Sequence, residues 1–201
     1  MLVVISGKGR SGKDTSAIIL KQLFLDMGET YVGIAYADFL KEILGKCFNL
    51  NYNHLYGSLK EDSLDHLPIR TRSGKATNHK WTPRKLLQFL GTDVMRTIDP
   101  DCWVNVVKNF VNTSSSKYDN IIITDARFFN EIDWVLQKGG THIHIRRQNS
   151  DYVGGTEHSS ETSLDTNSFS EKHYVIDNDK DLIYLEESLQ EIINKEKNYG
   201  T

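Results

Sequence analysis

A chain of 201 residues that is 38% hydrophobic and 25% charged has material for one ordinary domain with a real core. Its net charge of −3 excludes a general attraction to nucleic acid or to an anionic membrane. Cys47 and Cys102 are too few for a disulfide framework or a thiolate metal site, and no stretch approaches transmembrane length.

Residues 2–5 (Leu-Val-Val-Ile) predict a short buried strand, central in a parallel sheet. Lys8, Arg10 and Lys13 interrupt that apolar run, so the start does not read as a secretory leader, and the expected compartment is the cytosol. Gly7, Gly12 and Lys13 then fall at the spacing of a phosphate-binding loop. Glycines let the backbone wrap a phosphate with several N–H groups pointing inward, and Lys13 offsets charge on the β- and γ-phosphates. The residue after the lysine, commonly a Ser or Thr that meets magnesium, is Asp14, with Thr15 one position later. A helix from Asp14 carries Ala17, Leu20, Phe24 and Met27 on one face and stops at Gly28.

Residues 31–36 read as a second strand, followed by a helix with Asp38 as its N-cap. Asp38 and Lys41 stand just past a strand end, where parallel sheets line their ligand crevice. Residues 47–80 have weak periodicity and read as a partly irregular insertion over the substrate side, with short helices, basic in its second half through Arg70, Arg72, Lys75, His79 and Lys80. Thr82 and Pro83 make a clean helix start, and Arg84, Gln88, Asp93 and Arg96 give that helix a polar face suited to an anionic, hydrogen-bonding substrate. Gly91 lies within or near the end of this helix, where close approach by another group is one reason to tolerate it.

A helix follows Asp99-Pro100-Asp101, and residues 119–125 predict a buried strand that ends on an acid, Asp125, two residues before Arg127. In phosphate-loop proteins an acid there orients magnesium or the attacking oxygen. A helix over 128–138 leads to a strand at 141–145, where His142 and His144 share a side and sheet-face packing outweighs metal binding. Arg146 and Arg147 end this strand, placed to clamp polyphosphate. Residues 148–170 read as a mobile cover over the site. A strand at 173–177 and a last helix with Leu182, Leu185, Leu189, Ile192 and Ile193 on one face complete the chain, which frays after Lys195. The order of elements predicts a three-layer α/β domain with a central parallel sheet, single over residues 1–201.

The chain resembles the phage-type deoxynucleoside monophosphate kinases. The marks are the segment Ser6 to Thr15 with its Lys-Asp-Thr form, the segment Trp81 to Asp93 with Leu-Gly-Thr-Asp, and Asp101-Cys102-Trp103. Thr124-Asp125-Ala126-Arg127 with Asn130-Glu131, Glu157-His158-Ser159-Ser160-Glu161 and Ile176-Asp177-Asn178-Asp179 continue them. The animal-type phosphomevalonate kinases share Lys13-Asp14 and are the nearest rival. The resemblance implies a P-loop nucleoside monophosphate kinase-like fold and transfer of phosphate from ATP to a deoxynucleoside monophosphate. It implies Gly7, Gly9, Arg10, Ser11, Gly12, Lys13, Asp14 and Thr15 on the donor, with Asn178 where the donor base is met. It implies Asp38, Lys41, Arg84, Gln88, Thr92, Asp93, Arg96 and Arg127 on the acceptor.

On this reading Lys13, Asp125, Arg127, Arg146 and Arg147 carry the chemistry, and Asp14, Thr15 and Asp125 position magnesium. The expected partner is a small nucleotide, with no stable nucleic-acid or membrane partner, and a homodimer is left open. A GTP-binding regulatory protein is the other alternative, but Asn178-Asp179-Lys180-Asp181 displaces the lysine of the guanine-reading motif by one position.

Overall fold

The computed structural model describes residues 1–147, Leu164 and 172–198. In chain order its elements begin with β1 (Leu2–Ser6), α1 (Lys13–Asp26), β2 (Tyr31–Ala35), α2 (Asp38–Phe48), α3 (Tyr52–Leu55), a 3-10 turn (Ser58–Glu61), β3 (Pro68–Arg70) and β4 (Ala76–Lys80). They continue with α4 (Pro83–Gln88), a π-helical turn (Phe89–Val94), α5 (Met95–Ile98), α6 (Cys102–Ser114) and β5 (Asn120–Ala126). The last are α7 (Phe129–Gln137), β6 (Thr141–Arg146), β7 (His173–Asp177) and α8 (Leu182–Asn198). The chain falls into two compact units, residues 1–36 with 103–201, and residues 37–102.

The first unit is built on a five-stranded sheet in the order β2-β5-β1-β6-β7, parallel at every pairing. Val3, Val4 and Ile5 of β1 and Ile122 and Ile123 of β5 have no exposed surface, because both faces of a parallel sheet are covered. Alternation along β1 sends Val3 and Ile5 into one core with Leu20 and Phe24 of α1 and with Leu185, Leu189 and Ile193 of α8. On the other face α7 packs over β1 and β6 with Ile132 and Val135 fully buried. Each such buried side chain contributes about 1.5–3 kcal/mol, so the sheet is a firm base. Its carboxyl edge, by contrast, carries unusual backbone. Arg10 and Asp125 have φ of 61° and 60°, Gly7 and Gly12 have φ of 149° and 103°, and the β1–β5 register shifts between Val4 and Ser6.

The second unit packs α2 and α4 through residues that include Leu40, Leu44 and Leu86. Thr82 caps α4 by accepting from the Lys85 N–H at 3.2 Å, with Pro83 in the first turn, as the sequence predicts. Gly91 sits in the π-helical turn, and a Cβ there would come within 2.6 Å of Leu40 Cδ2, the close approach anticipated at that glycine.

Four expectations are corrected. Asp38 is not an N-cap: α2 already includes it, and the cap position is Ala37, with helical dihedrals and no side-chain cap bond. Residues 47–80 hold the antiparallel hairpin β3–β4 besides short helices, closed through Gly74 at φ 81°. The β5 strand runs one residue past Asp125, so the acid interrupts the strand and does not terminate it. The last helix continues through Asn198 where fraying was expected after Lys195. The cover expected over 148–170 lies outside the described residues, apart from Leu164. Among the described residues no helix is long and apolar enough to cross a membrane.

Candidate active site

The phosphate loop joins β1 to α1 at the carboxyl edge of the sheet. This is where open α/β sheets bind ligands. Two glycines shape it through contacts that a side chain would obstruct. A Cβ on Gly7 would fall inside the Ile145 carbonyl oxygen and Ser11 Oγ, and a Cβ on Gly12 would fall on the Asn178 carboxamide nitrogen. Gly12 also supplies the left-handed start of α1 without a side-chain cap, leaving first-turn N–H groups for a bound anion. Ser11 Oγ is buried with no hydrogen-bond partner among the described residues. A buried hydroxyl of that kind, in a glycine cradle, fits a phosphate group.

A Gly7→Ala variant is expected to lose affinity for nucleotide by tenfold or more. The obstruction at Ile145 is backbone, which has nowhere to move, and φ of 149° suits glycine alone. Strain of this kind costs about 1–3 kcal/mol. Nucleotide titration followed by calorimetry, with a denaturant melt beside it, checks both effects.

Lys13 is buried, and its Nζ lies 3.6 Å from Asp125 Oδ1. Asp is among the residues that tolerate positive φ, and the register shift in the neighbouring strand accommodates it. The buried Glu131 carboxylate, six residues after Asp125, accepts from the main-chain N–H groups of Arg127 at 2.8 Å and Phe128 at 3.2 Å, and so fixes the turn that carries Arg127. Glu131 has no place in the predicted site. Its position three residues after the turn is the signal of a helix-start acid.

Asp14 and Thr15 are exposed on the first turn of α1, while Ser16 is buried and donates to the Gly12 carbonyl at 3.0 Å. Carboxylate and hydroxyl oxygens are hard donors of the type magnesium takes, so the chemistry of Asp14, Thr15 and Asp125 fits that ion. Gly9 and Arg10 complete the loop, with Arg10 exposed.

At the far side of β6, Arg146 makes a two-pronged ion pair with Asp177, Nε to Oδ1 at 2.5 Å and an Nη to Oδ2 at 2.8 Å. Each partner favours the other's charge: Arg146 holds the Asp177 carboxyl below its ordinary range, and Asp177 raises the guanidinium. Arg147 is exposed. Asn178 is buried, and its carboxamide donates to the Ser11 carbonyl at 2.8 Å.

Beneath the loop lies a polar chain that sequence reasoning did not assemble. Ser6 Oγ is 2.7 Å from His142 Nε2 and 2.8 Å from His144 Nδ1, and His142 Nδ1 is 2.9 Å from His173 Nδ1. A hydroxyl has one proton, so one imidazole donates to Ser6 and the other accepts from it. Burial, reinforced by His173 and then His144, pushes the His142 pKa down to about 2, so its ring is neutral at physiological pH. The shared side of the two histidines was legible. Their partner Ser6 was visible only as a strand-end residue.

The predicted acceptor residues all lie in the second unit except Arg127. Lys41 is buried in α2, with Nζ 4.2 Å from the centre of the Tyr56 ring, whose hydroxyl donates to Asp38 Oδ1 at 3.4 Å. Arg84 is ion-paired through Nε with Glu61. Gln88 Nε2 is buried with no hydrogen-bond partner among the described residues, one position before the π-helical turn that holds Thr92 and Asp93. π-helical turns recur at functional sites. Arg96 is half-buried on α5.

A family profile described as deoxynucleotide monophosphate kinase matches residues 50–189, which include α4, the π-helical turn, Asp125, Arg127 and Asn178. The chain belongs to that family. Among curated relatives, a protein of Acanthamoeba polyphaga mimivirus is 27% identical over 160 residues, 73% of this chain and 74% of that protein. The deoxynucleotide monophosphate kinase of Escherichia phage RB69 is 30% identical over 118 residues, 58% of this chain and 46% of that enzyme. The corresponding enzyme of Enterobacteria phage T4 is 34% identical over 70 residues, covering 34% of this chain and 29% of its own. This deoxynucleotide monophosphate kinase family member is an ATP-dependent phosphotransferase acting on a small nucleotide-like substrate. Its glycine loop precedes the matched span, so the loop's part in the site rests on geometry.

Proposed function

We propose that the protein phosphorylates deoxynucleoside monophosphates to diphosphates, using ATP with magnesium, in the cytosol of the cell that makes it. The observation that carries the reading is the pairing of Lys13 with Asp125 beside a glycine cradle holding a buried hydroxyl that has no hydrogen-bond partner among the described residues. Asp14, Thr15 and Asp125 would hold magnesium, which would supply charge neutralisation at the phosphates.

In this reading the residues from Gly7 to Thr15 receive the donor phosphates. Lys13 offsets charge on the β- and γ-phosphates, and Asp125 keeps the ammonium aimed. Arg127, Arg146 and Arg147 stabilise the charge that spreads over the transferring group during in-line displacement. Arg146 must leave Asp177 to do so, since its guanidinium is engaged on both prongs. A phosphate monoester is already largely ionised near neutral pH, so the acceptor needs no dedicated base. Lys41, Arg84, Gln88, Thr92, Asp93 and Arg96, with Asp38, are assigned to the acceptor, and the buried Gln88 amide suits a hydrogen-bonding base.

The test is an acceptor screen. Purified protein is incubated with ATP, magnesium and each nucleoside and deoxynucleoside monophosphate, with phosphomevalonate alongside, and ADP and the phosphorylated product are identified. Diphosphates of one or more deoxynucleosides are the expected products. Turnover of phosphomevalonate alone would overturn the nucleotide reading.

A further inference from the structure

We propose that Asn178 is a positioning residue of the phosphate loop, holding the Ser11–Gly12 peptide in the orientation that receives the donor phosphates, and that it does not read the donor base. The inference rests on the loop's receiving those phosphates, and its test separates the two.

Asn178 follows β7 directly and is 8% exposed. Its own main-chain N–H donates to the Arg146 carbonyl at 2.7 Å, which anchors its backbone to the end of β6. From that anchor its carboxamide nitrogen donates to the Ser11 carbonyl at 2.8 Å, a bond that is itself buried. The same nitrogen occupies the space that a Cβ on Gly12 would need. The amide nitrogen is therefore wedged against the loop, with one of its two N–H donors committed to a main-chain acceptor.

The consequence follows from peptide geometry. Ser11 C=O and Gly12 N–H belong to one planar trans peptide and point in opposite directions. No cis peptide occurs among the described residues. While Asn178 holds the carbonyl, the Gly12 N–H is turned away from Asn178. If the bond is lost, the peptide plane is free to rotate, because glycine at position 12 imposes little restriction. A rotated plane presents a carbonyl oxygen where an anion needs an N–H, and the loop repels the phosphate it should hold. Asp177, next to Asn178, ties down Arg146 in the same turn, so this one strand end organises both the loop and an arginine.

The experiment compares wild type with Asn178→Ala and Asn178→Asp, using three ligands: ATP, GTP and inorganic tripolyphosphate, which has no base. Removing one buried hydrogen bond corresponds to about tenfold in affinity. Asn178→Ala is expected to weaken all three ligands by that same factor. Asn178→Asp is expected to weaken them further, because a carboxylate faces the Ser11 carbonyl. KM for ATP should rise while KM for the acceptor stays unchanged, a split that general loosening of the fold would not give.

Unchanged tripolyphosphate affinity with an altered ATP-to-GTP ratio would overturn the proposal in favour of base reading. Equal affinities across all variants would also overturn it. A wild type that binds neither tripolyphosphate nor ATP would instead sink the reading of the loop. Should neither variant fold, the wild-type Asn178 side-chain amide resonance decides. It should shift alike with tripolyphosphate and ATP, and a shift with ATP alone would overturn the proposal.

Discussion

Lys13→Met is expected to reduce kcat on the order of 10³-fold or more, with the protein still folded and its acceptor affinity retained. The ammonium is buried at the loop, 3.6 Å from Asp125, where little water screens it. Groups placed to meet charge that grows in a phosphoryl-transfer transition state have effects of about 10²–10⁵ in rate. Methionine keeps the apolar stem to within one atom of its length and removes the ammonium, its charge and its N–H donors. On the proposed reading it also takes the Lys13 ammonium from beside the Asp125 carboxylate, which adds repulsion to the loss of attraction. Single-turnover kinetics at saturating ATP, beside a binding titration, isolate the effect on the chemical step. A variant retaining more than about a tenth of the wild-type kcat would remove Lys13 from the catalytic group.

The second large effect is on stability against pH. His142 has no exposed surface, and its folded pKa is pushed down to about 2 from an ordinary value of 6.5. The sign follows from proton counting. Below 6.5 the unfolded chain binds a proton that the folded ring refuses, so stability is full above 6.5 and is lost as pH falls. The slope is about 1.4 kcal/mol per pH unit, or about 2 kcal/mol by pH 5. Among the described residues, the groups that face the ring include Ser6 from β1, His144 on its own strand and His173 from β7. The His173 pKa is also lowered, by burial, and so adds in the same direction. Denaturant midpoints measured from pH 8 to pH 5 should fall for the wild type and fall less for His142→Asn. Parallel curves for the two proteins would show that His142 does not carry the effect.

The frame of the molecule could be read from runs of a single character. Ile121-Ile122-Ile123 and Val3-Val4-Ile5 have no polar face to give, so they had to be central strands. Gly7, Gly12 and Lys13 named the loop because their spacing is set by the size of a phosphate. Thr82-Pro83 named a helix start because each residue answers a local need of the backbone.

What escaped the reading is contact between residues distant in the chain. Asn178 and Ser11 are 167 positions apart, and nothing in either neighbourhood announces the other. Ser6 and His142 are likewise 136 apart. The left-handed turn at Asp125 arises from a register shift against β1, which is a property of two strands together. The β3–β4 hairpin was missed for another reason. Its strands are short and polar, so no alternation marks them, although Ser73-Gly74 was an available turn signal. The π-helical turn at Gly91 leaves no periodic signature, because one inserted residue looks like a shift of phase.

The place of β1 in the middle of the sheet sets an order of events during synthesis. Its hydrogen-bonded neighbours are β5 and β6, whose paired residues lie more than a hundred positions later. While the ribosome is still making residues 37–102, β1 has no strand to pair with, and its apolar residues must wait in water or in temporary contacts. Long-range parallel pairing is slow for this reason, since the entropy of closing the loop must be met before any pairing rewards it. The second unit, with its contacts drawn from sixty-odd consecutive residues, has no such delay. The nucleotide loop therefore takes shape late. A nascent chain can fold its local unit early, and its glycine loop meets Ile145 at Gly7 and Asn178 at Gly12 only after β7 has emerged.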